Sequence, residues 1–304
     1  MKLLCTDLDR TLVPNGEQPE SALARPVLWH LLRSHDMILA YVSGRDLDRV
    51  LQAIEEHDLQ IPDVIVADVG TSIYVSGERG WQLHDGWHDL IGRDWNGYDS
   101  PGIGESLGSF TQMEAQEADR QTRYKRSYYL PRDLDASALG QQLESHLQGL
   151  GVRASLVFSD DPEKNVQLLD ILPVHATKRE AIEHVRQMQG LANEACLFSG
   201  DSGNDVTALA SQLPSVTVKN ADQPTREAVR KLAETNGTLD NSYQAEGGLA
   251  LADGQALNGN YAAGIVEGLV YFNPAWRELL LSTDWLNEAQ VHGSPSAVNA
   301  SRRA

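Results

Sequence analysis

Two short apolar runs, one at the start of the chain and one far downstream, lead directly into dense acidic motifs, and that pairing restricts the fold more than any other feature. Met1 to Cys5 precedes Thr6-Asp7-Leu8-Asp9-Arg10-Thr11, and a second run precedes Ser199-Gly200-Asp201-Ser202-Gly203-Asn204-Asp205. Side chains alternate along a strand, so Asp7 and Asp9, at i and i+2 where a strand ends, point the same way. In open α/β sheets that C-terminal edge is where ligands bind. Carboxylates gathered there need a cation among them, and an all-oxygen shell of this kind suits Mg2+. The expectation is a parallel sheet that brings the two motifs to one edge.

Strand-like and helix-like segments do alternate from the start, as in βα units. The spacing predicts strands over residues 2–6, 37–42 and 64–67, and helices over 21–34 and 46–56, where Leu47, Val50, Leu51 and Ile54 share a face. Val64-Ile65-Val66-Ala67 is wholly apolar, as expected of a strand covered on both faces. From about Gly77 the pattern breaks: glycines alternate with Trp81, Trp87 and Trp95, and a polar stretch runs from Met113 to Gln121. Strands over 123–130, 152–158 and 166–171 around a helix over 134–147 predict a smaller α/β insert over residues 78–168. The first pattern resumes with a helix from Lys178 to Met188, a strand over 195–198, a helix over 205–210, a strand over 215–218, and a helix over 260–270 with Asn260 as its N-cap. Residues 1–77 and 169–285 are therefore read as one core, and residues 286–304 as a flexible tail.

Four groups follow strands in order: Asp7/Asp9/Thr11, Ser43-Gly44-Arg45, Lys178 opening its helix, and Asp201/Asn204/Asp205. Each alone has an ordinary explanation. Ser, Gly and Asp after a strand are turn chemistry, a lysine on a helix is solvated, and an acidic run caps a helix N-terminus. Converging on one edge, they match what attack on a phosphate monoester needs: a nucleophile held in line, neutralising charge, and a proton for the leaving oxygen. With these residues the chain resembles the haloacid dehalogenase (HAD) superfamily, and the insert after the third strand resembles its C2-type (subclass IIB) cap. Gly200 to Asp205, Val69 to Tyr74, Tyr124 to Tyr129 and Asp170 to Pro173 are most similar to sucrose-phosphate phosphatases, the likeness covering roughly residues 1–272.

The resemblance implies an α/β fold, a Rossmann-like parallel-sheet core with an inserted smaller α/β cap, and a Mg2+-dependent phosphatase that works through an aspartyl-phosphate. Asp7 is then the nucleophile, and Asp9 the general acid and base, which calls for a raised Asp9 pKa. Metal ligands are expected from Asp7, Asp9 through its main-chain carbonyl, Asp201 and Asp205. Phosphate contacts are expected from Asp7, the Leu8 amide, Thr11, Ser43, Gly44, Lys178 and Asn204, with Ser43 and Lys178 joining the catalytic set. Substrate contacts are expected from Arg45, from the turn Gly70, Thr71 and Ser72, and from Gln112, Gln116 and Lys125 in the cap; for Lys125 an exposed cap charge is the even alternative. Arg10 departs from the resemblance, since sucrose phosphatases usually carry Asn there.

The implied substrate is a small sugar phosphate, sucrose 6-phosphate first, with mannosylfructose phosphate, glucosylglycerol phosphate or mannosyl phosphoglycerate as alternatives and a sucrose-phosphate synthase or other glycosyltransferase as a candidate partner. Two other classes stay open, a non-catalytic sugar-phosphate-binding module and a phospho-acceptor receiver. No catalytic position is lost here, against the first, and receivers are shorter and capless. The net charge of −18 disfavours nucleic acid and repels anions at long range, so a phosphorylated substrate needs local positive groups. No run approaches the roughly 20 apolar residues of a membrane span. Cys5 and Cys196 read as buried, unpaired thiols in adjacent strands, and a cytoplasmic monomer is expected. The three tryptophans are either a sugar platform or junction packing.

Overall fold

The first acidic motif sits at the end of a strand in the middle of a large sheet. The computed structural model describes residues 1–161 and 164–282, so the expected tail over 286–304 lies outside the described residues. The core opens with β1 (Leu3–Thr6), α1 (Ala24–Ser34), β2 (Ile38–Val42), α2 (Leu47–Glu56) and β3 (Val64–Ala67). A hairpin of β4 (Ser72–Gly77) and β5 (Gly80–Leu83) follows, then α3 (Asp85–Gly92) and α4 (Ser100–Ser106). The cap comprises β6 (Glu114–Ala115), β7 (Arg126–Leu130), α5 (Ala136–Gly149), β8 (Ala154–Asp161) and β9 (Val166–Pro173). The chain returns through α6 (Lys178–Met188), β10 (Cys196–Gly200), the single turn α7 (Val206–Leu209), β11 (Ser215–Thr217), α8 (Gln223–Asn236), β12 (Ser242–Gln244), the short pair β13 (Leu249–Ala250) and β14 (Ala256–Leu257), α9 (Ala262–Phe272) and α10 (Arg277–Leu281).

The eight-stranded sheet runs β12-β11-β10-β1-β2-β3-β4-β5, parallel from β12 to β3 and antiparallel in the final hairpin. β1 lies between β10 and β2, with Thr6 opposite Ser199 and Tyr41, so both acidic motifs leave the same sheet edge from neighbouring strands. Period-2 alternation divides the core. Leu4, Leu39, Tyr41, Ile65 and Leu197 face a layer built with α1 and α9; Leu3, Cys5, Ala40, Val42, Val64 and Phe198 face α6 and α8. The second layer continues into the insert through Trp87, Trp95, Leu143 and Leu169. Cys5 and Cys196 are buried free thiols on adjacent strands.

The insert's boundaries differ from the expected ones. Residue 78 falls inside the β4–β5 hairpin, which extends the core sheet, and residue 169 falls inside β9, which belongs to the four-stranded cap sheet β6-β7-β9-β8. Glycines at the turn and an aromatic at Trp81 disguised the hairpin as the start of a new architecture. Trp87 and Trp95 are 1% and 0% exposed, and the Trp87 indole N–H donates to the Gly70 carbonyl at 2.9 Å, so these two pack the junction and form no platform. Asn260 is not the N-cap of α9. Its side-chain amide donates to the Pro19 carbonyl at 3.1 Å, and Tyr261 precedes the helix with φ +52°. With ψ at −131° this residue lies outside the left-handed helical well, in a strained conformation costing roughly 1–3 kcal/mol; complete burial of the Tyr261 ring, worth roughly 1.5–3 kcal/mol, offsets it.

Candidate active site

Lys178 is the first residue of α6, fixed there because the Thr177 hydroxyl accepts the Glu180 amide at 3.2 Å. Its ammonium lies between two carboxylates, donating to Asp7 Oδ1 and to Asp205 Oδ1, each at 2.8 Å, with 2% of the residue exposed. Burial works against the Lys178 charge, yet Asp205 and Asp7 raise its pKa above the ordinary ammonium value. The other Asp205 oxygen accepts the amides of Asp201 and Ser202 at 3.2 and 3.1 Å, which fixes the turn after β10. Gly200 permits this approach, since a Cβ there would lie 2.7 Å from Asp205 Cβ.

Asp7, Asp201 and Asp205 are buried, with one oxygen from each within 4.8 Å of the others. Burial, helped by Asp205 and Asp201, pushes the Asp7 carboxyl up to about 7 against the pull of Lys178. Burial and then Asp205 push Asp201 up to about 6, with Thr11, Arg10 and Lys178 pulling down. Three crowded carboxylates facing one ammonium are short of positive charge, and their donor set is all oxygen. The residues present therefore fit a hard divalent cation such as Mg2+.

A cavity of about 320 Å³ opens over this floor, lined by Asp7, Asp9, Arg10, Gly44, Arg45, Arg49, Lys178, Asp201, Ser202 and Asn204. The expected residues fall into three groups. Asp7, Asp9, Gly44, Arg45, Lys178, Asp201 and Asn204 meet at the cavity, and Asp205 lies beneath it. Ser43, Thr11 and Leu8 are fully buried: the Ser43 hydroxyl accepts the Arg45 amide at 3.1 Å, the Thr11 hydroxyl donates to Asp201 Oδ1 at 3.1 Å, and the Leu8 carbonyl, not the amide expected to meet phosphate, accepts the amides of Thr11, Leu12 and Val13. The Thr11 hydroxyl thus holds a carboxylate where a phosphate contact was expected.

The third group lies away from the cavity. Thr71 and Ser72 are 0% and 2% exposed, with the Thr71 hydroxyl donating to the Asp68 carbonyl at 3.1 Å. Gly70, at φ +105°, lies against the start of α6, where a Cβ would come within 2.6 Å of the Thr177 backbone. This turn seats the helix that carries Lys178 and does not face the cavity. In the cap, Gln116 donates to the Tyr128 carbonyl at 3.1 Å, Gln112 is half-buried, and neither lines the cavity. Lys125 reaches the core, where its ammonium pairs with Asp68 at 3.5 Å.

The expectation of a raised Asp9 pKa is overturned. Burial alone would raise it, but two bonds from Arg45, at 2.6 and 2.8 Å, and one from Asn15, at 2.7 Å, hold the carboxyl below its usual range. Arg45 is therefore a partner of Asp9. Residues missed from the sequence are Asn15, Arg49, Ser202 and Asp68. Asp68 is 4% exposed and its amide donates to the Arg45 carbonyl at 2.9 Å, while the next amide, Val69, donates to the Ser43 carbonyl at 3.1 Å. The acidic residue beside Val69-Gly70 was the available signal, but nothing local pairs it with Lys125.

The family model of sucrose-6F-phosphate phosphohydrolase matches residues 1–273. The chain belongs to this family. A chain from Nitrosococcus oceani described only as a HAD-like hydrolase is 42% identical over 280 residues, 91% of this chain and 74% of that one. The mannosylfructose-phosphate phosphatase of Agrobacterium fabrum is 32% identical over 67% of this chain and 77% of its own length. Against sucrose-phosphatase 1 of Nicotiana tabacum the identity is 25%, and the match spans about half of the plant protein, 51%. The sucrose-phosphatase structure from Synechocystis sp. PCC6803, solved with sucrose and phosphate, has the same fold, with a TM-score of 0.65 at 24% identity over 90% of this chain and 98% of that one. The family member is a HAD-type phosphoric monoester hydrolase of the sugar-phosphate phosphatase group, with a capped Rossmann-like α/β fold. Among the described residues no helix is long and apolar enough to cross a membrane.

Proposed function

We propose that this protein hydrolyses the phosphate ester of a disaccharide-type sugar phosphate, sucrose 6-phosphate first, with Asp7 as nucleophile and Mg2+ as the resident cation. The observation that carries the reading is Lys178 seated between Asp7 and Asp205 on the floor of a cavity, with Asp201 beside them. When bound, the cation would be held by Asp7, Asp201, Asp205 and the Asp9 carbonyl, and would supply charge neutralisation to the phosphoryl oxygens.

The chain's own groups then divide the work. An Asp7 carboxylate oxygen forms a bond to phosphorus as the bond from phosphorus to the sugar oxygen breaks, and the departing oxygen takes a proton from Asp9. Lys178 keeps Asp7 oriented, and its ammonium balances charge as the phosphoryl group passes. In the second half, Asp9 takes a proton from water as the water oxygen attacks phosphorus, returning the Asp7 carboxylate and releasing phosphate. Asp9 must leave its bidentate pair with Arg45 to carry a proton, so substrate binding has to loosen that clamp. The cap residue Lys125 pairs with the core residue Asp68 and so ties the cap to the core.

Mannosylfructose phosphate is the second reading, favoured by the 32% identity to a phosphatase of that name. A screen of sucrose 6-phosphate, mannosylfructose phosphate, glucosylglycerol phosphate and mannosyl phosphoglycerate, scored by kcat/KM, tests the proposal. One of the disaccharide phosphates should lead, and EDTA should stop its turnover. A purified chain that releases phosphate from none of them with Mg2+ present contradicts the proposal.

A further inference from the structure

Arg10 is a cavity cation that the mechanism above leaves unused. Its backbone sits in the left-handed region, φ +59°, and the surroundings hold it there: its amide donates to the Val13 carbonyl at 3.0 Å and to Asn15 Oδ1 at 2.8 Å, and its carbonyl accepts the Asn220 side-chain amide at 2.6 Å. Asn220 is itself buried and accepts the Tyr261 amide at 2.8 Å. This scaffold aims the side chain into the cavity, where Nε lies 3.4 Å from Asp201 Oδ2 and Nη2 lies 3.4 Å from the Asn220 carbonyl, with 47% of the side chain exposed.

Two of the other cations lining the cavity are more tightly committed. Arg45 makes two short bonds to Asp9, and Lys178 makes two to buried carboxylates. Arg49 is as loosely held, 3.5 Å from Asp46, but that partner lies outside the cluster of Asp7, Asp201 and Asp205. Arg10 makes two long contacts, which leave most of its five planar N–H donors unused. Its acidic partner belongs to the group that fits a divalent cation. A doubly charged phosphoryl group entering a protein of net charge −18 needs a local cation not already neutralised by a short ion pair.

The geometry points to Arg10 as a partner-switching residue: it pairs with Asp201 in the metal-free protein, gives that carboxylate up to the divalent cation, and turns its guanidinium onto an oxygen of the substrate's phosphoryl group. This rests on the phosphatase reading and extends it to a residue where sucrose phosphatases usually carry Asn. The idea makes opposite demands on the two ligands. A positive charge beside Asp201 competes with a cation and attracts an anion, so its removal strengthens one affinity and weakens the other.

Calorimetric titration of the full-length wild type, Arg10→Gln and Arg10→Lys tests it, with Mg2+ alone as the first ligand and inorganic phosphate in saturating Mg2+ as the second. Arg10→Gln is expected to bind Mg2+ more tightly by about threefold or more and phosphate more weakly by about tenfold, the loss of one charge-assisted hydrogen bond. Arg10→Lys keeps the charge and should restore most of the phosphate affinity. If Arg10→Gln leaves phosphate affinity unchanged, Arg10 takes no part in anion binding, and if both affinities fall together, the residue only holds its loop; either result overturns the inference. Should Arg10→Gln fail to fold, a Lys variant with phosphate affinity as low as that of an empty site overturns it equally. A wild type that binds neither ligand sinks the phosphatase reading itself, and this inference with it.

Discussion

Asp7→Asn is expected to cut sugar-phosphate turnover by more than about 10⁴-fold while leaving the protein folded. The amide keeps the shape of the carboxyl and can still accept from Lys178, but it cannot form a stable bond to phosphorus. The stability side of the prediction separates loss of chemistry from loss of structure. In the metal-free protein burial pushes the Asp7 carboxyl up to about 7. A carboxyl raised in the folded state holds its proton there more tightly than in the unfolded chain, so stability declines as pH rises from the ordinary carboxylate range towards about 7. An amide does not titrate, so the variant should melt no lower than the wild type at pH 8 without metal. Activity within about tenfold of the wild type would move the nucleophile to another residue.

The second large effect is on stability. Lys178→Met removes the one ammonium between Asp7 and Asp205, leaving two buried carboxylates next to Asp201 without their counter-charge. Removing one partner of a buried ion pair costs about 3–5 kcal/mol, and here a single side chain serves two pairs. The methionine also fills the space, so the loss is electrostatic and has a pH signature. The carboxyls, raised further in the variant, take up protons as pH falls, so the deficit should be largest above pH 7 and shrink on acidification towards pH 5. Mg2+ should raise the melting temperature of Lys178→Met more than that of the wild type, because the added charge replaces the missing one. Thermal melts at several pH values, with and without Mg2+, check both statements. A deficit that does not vary with pH or Mg2+ would mean that Lys178 acts through packing alone.

The parts of the site readable from sequence are those governed by local rules. A carboxylate pair just past a buried strand, a Thr177 cap that places Lys178 at the head of a helix, and a glycine before Asp201 all lie within a few residues of what they act on. What was not readable is who meets whom across the fold. Arg45 and Asp9 are 36 positions apart, Lys125 and Asp68 57, and Arg153 and Asp94 59, and no periodicity encodes those encounters. For that reason the pKa expected to rise at Asp9 is held down by an unforeseen arginine, and Gly70, Thr71 and Ser72 seat α6 where a sugar contact was expected. The hairpin over β4 and β5 was hidden for a related reason: β4 gains its identity from pairing with β3, 64–67 against 72–75, and β5 from pairing with β4 at the sheet edge. Asn260 does not cap α9 because the helix begins one residue further on, with Tyr261 in the cap position.

The central claim is that phosphorus is carried on Asp7 between two displacements, with Asp9 moving the proton in each. Asp9→Asn mixed with p-nitrophenyl phosphate isolates the claim, because nitrophenolate leaves without a proton but the following water attack has lost its base. One equivalent of nitrophenolate per protein should appear in a burst, and mass spectrometry of the acid-quenched protein should find a phosphoryl group on the peptide that contains Asp7. A burst with the adduct on another residue, or steady turnover with no adduct at all, would contradict the account.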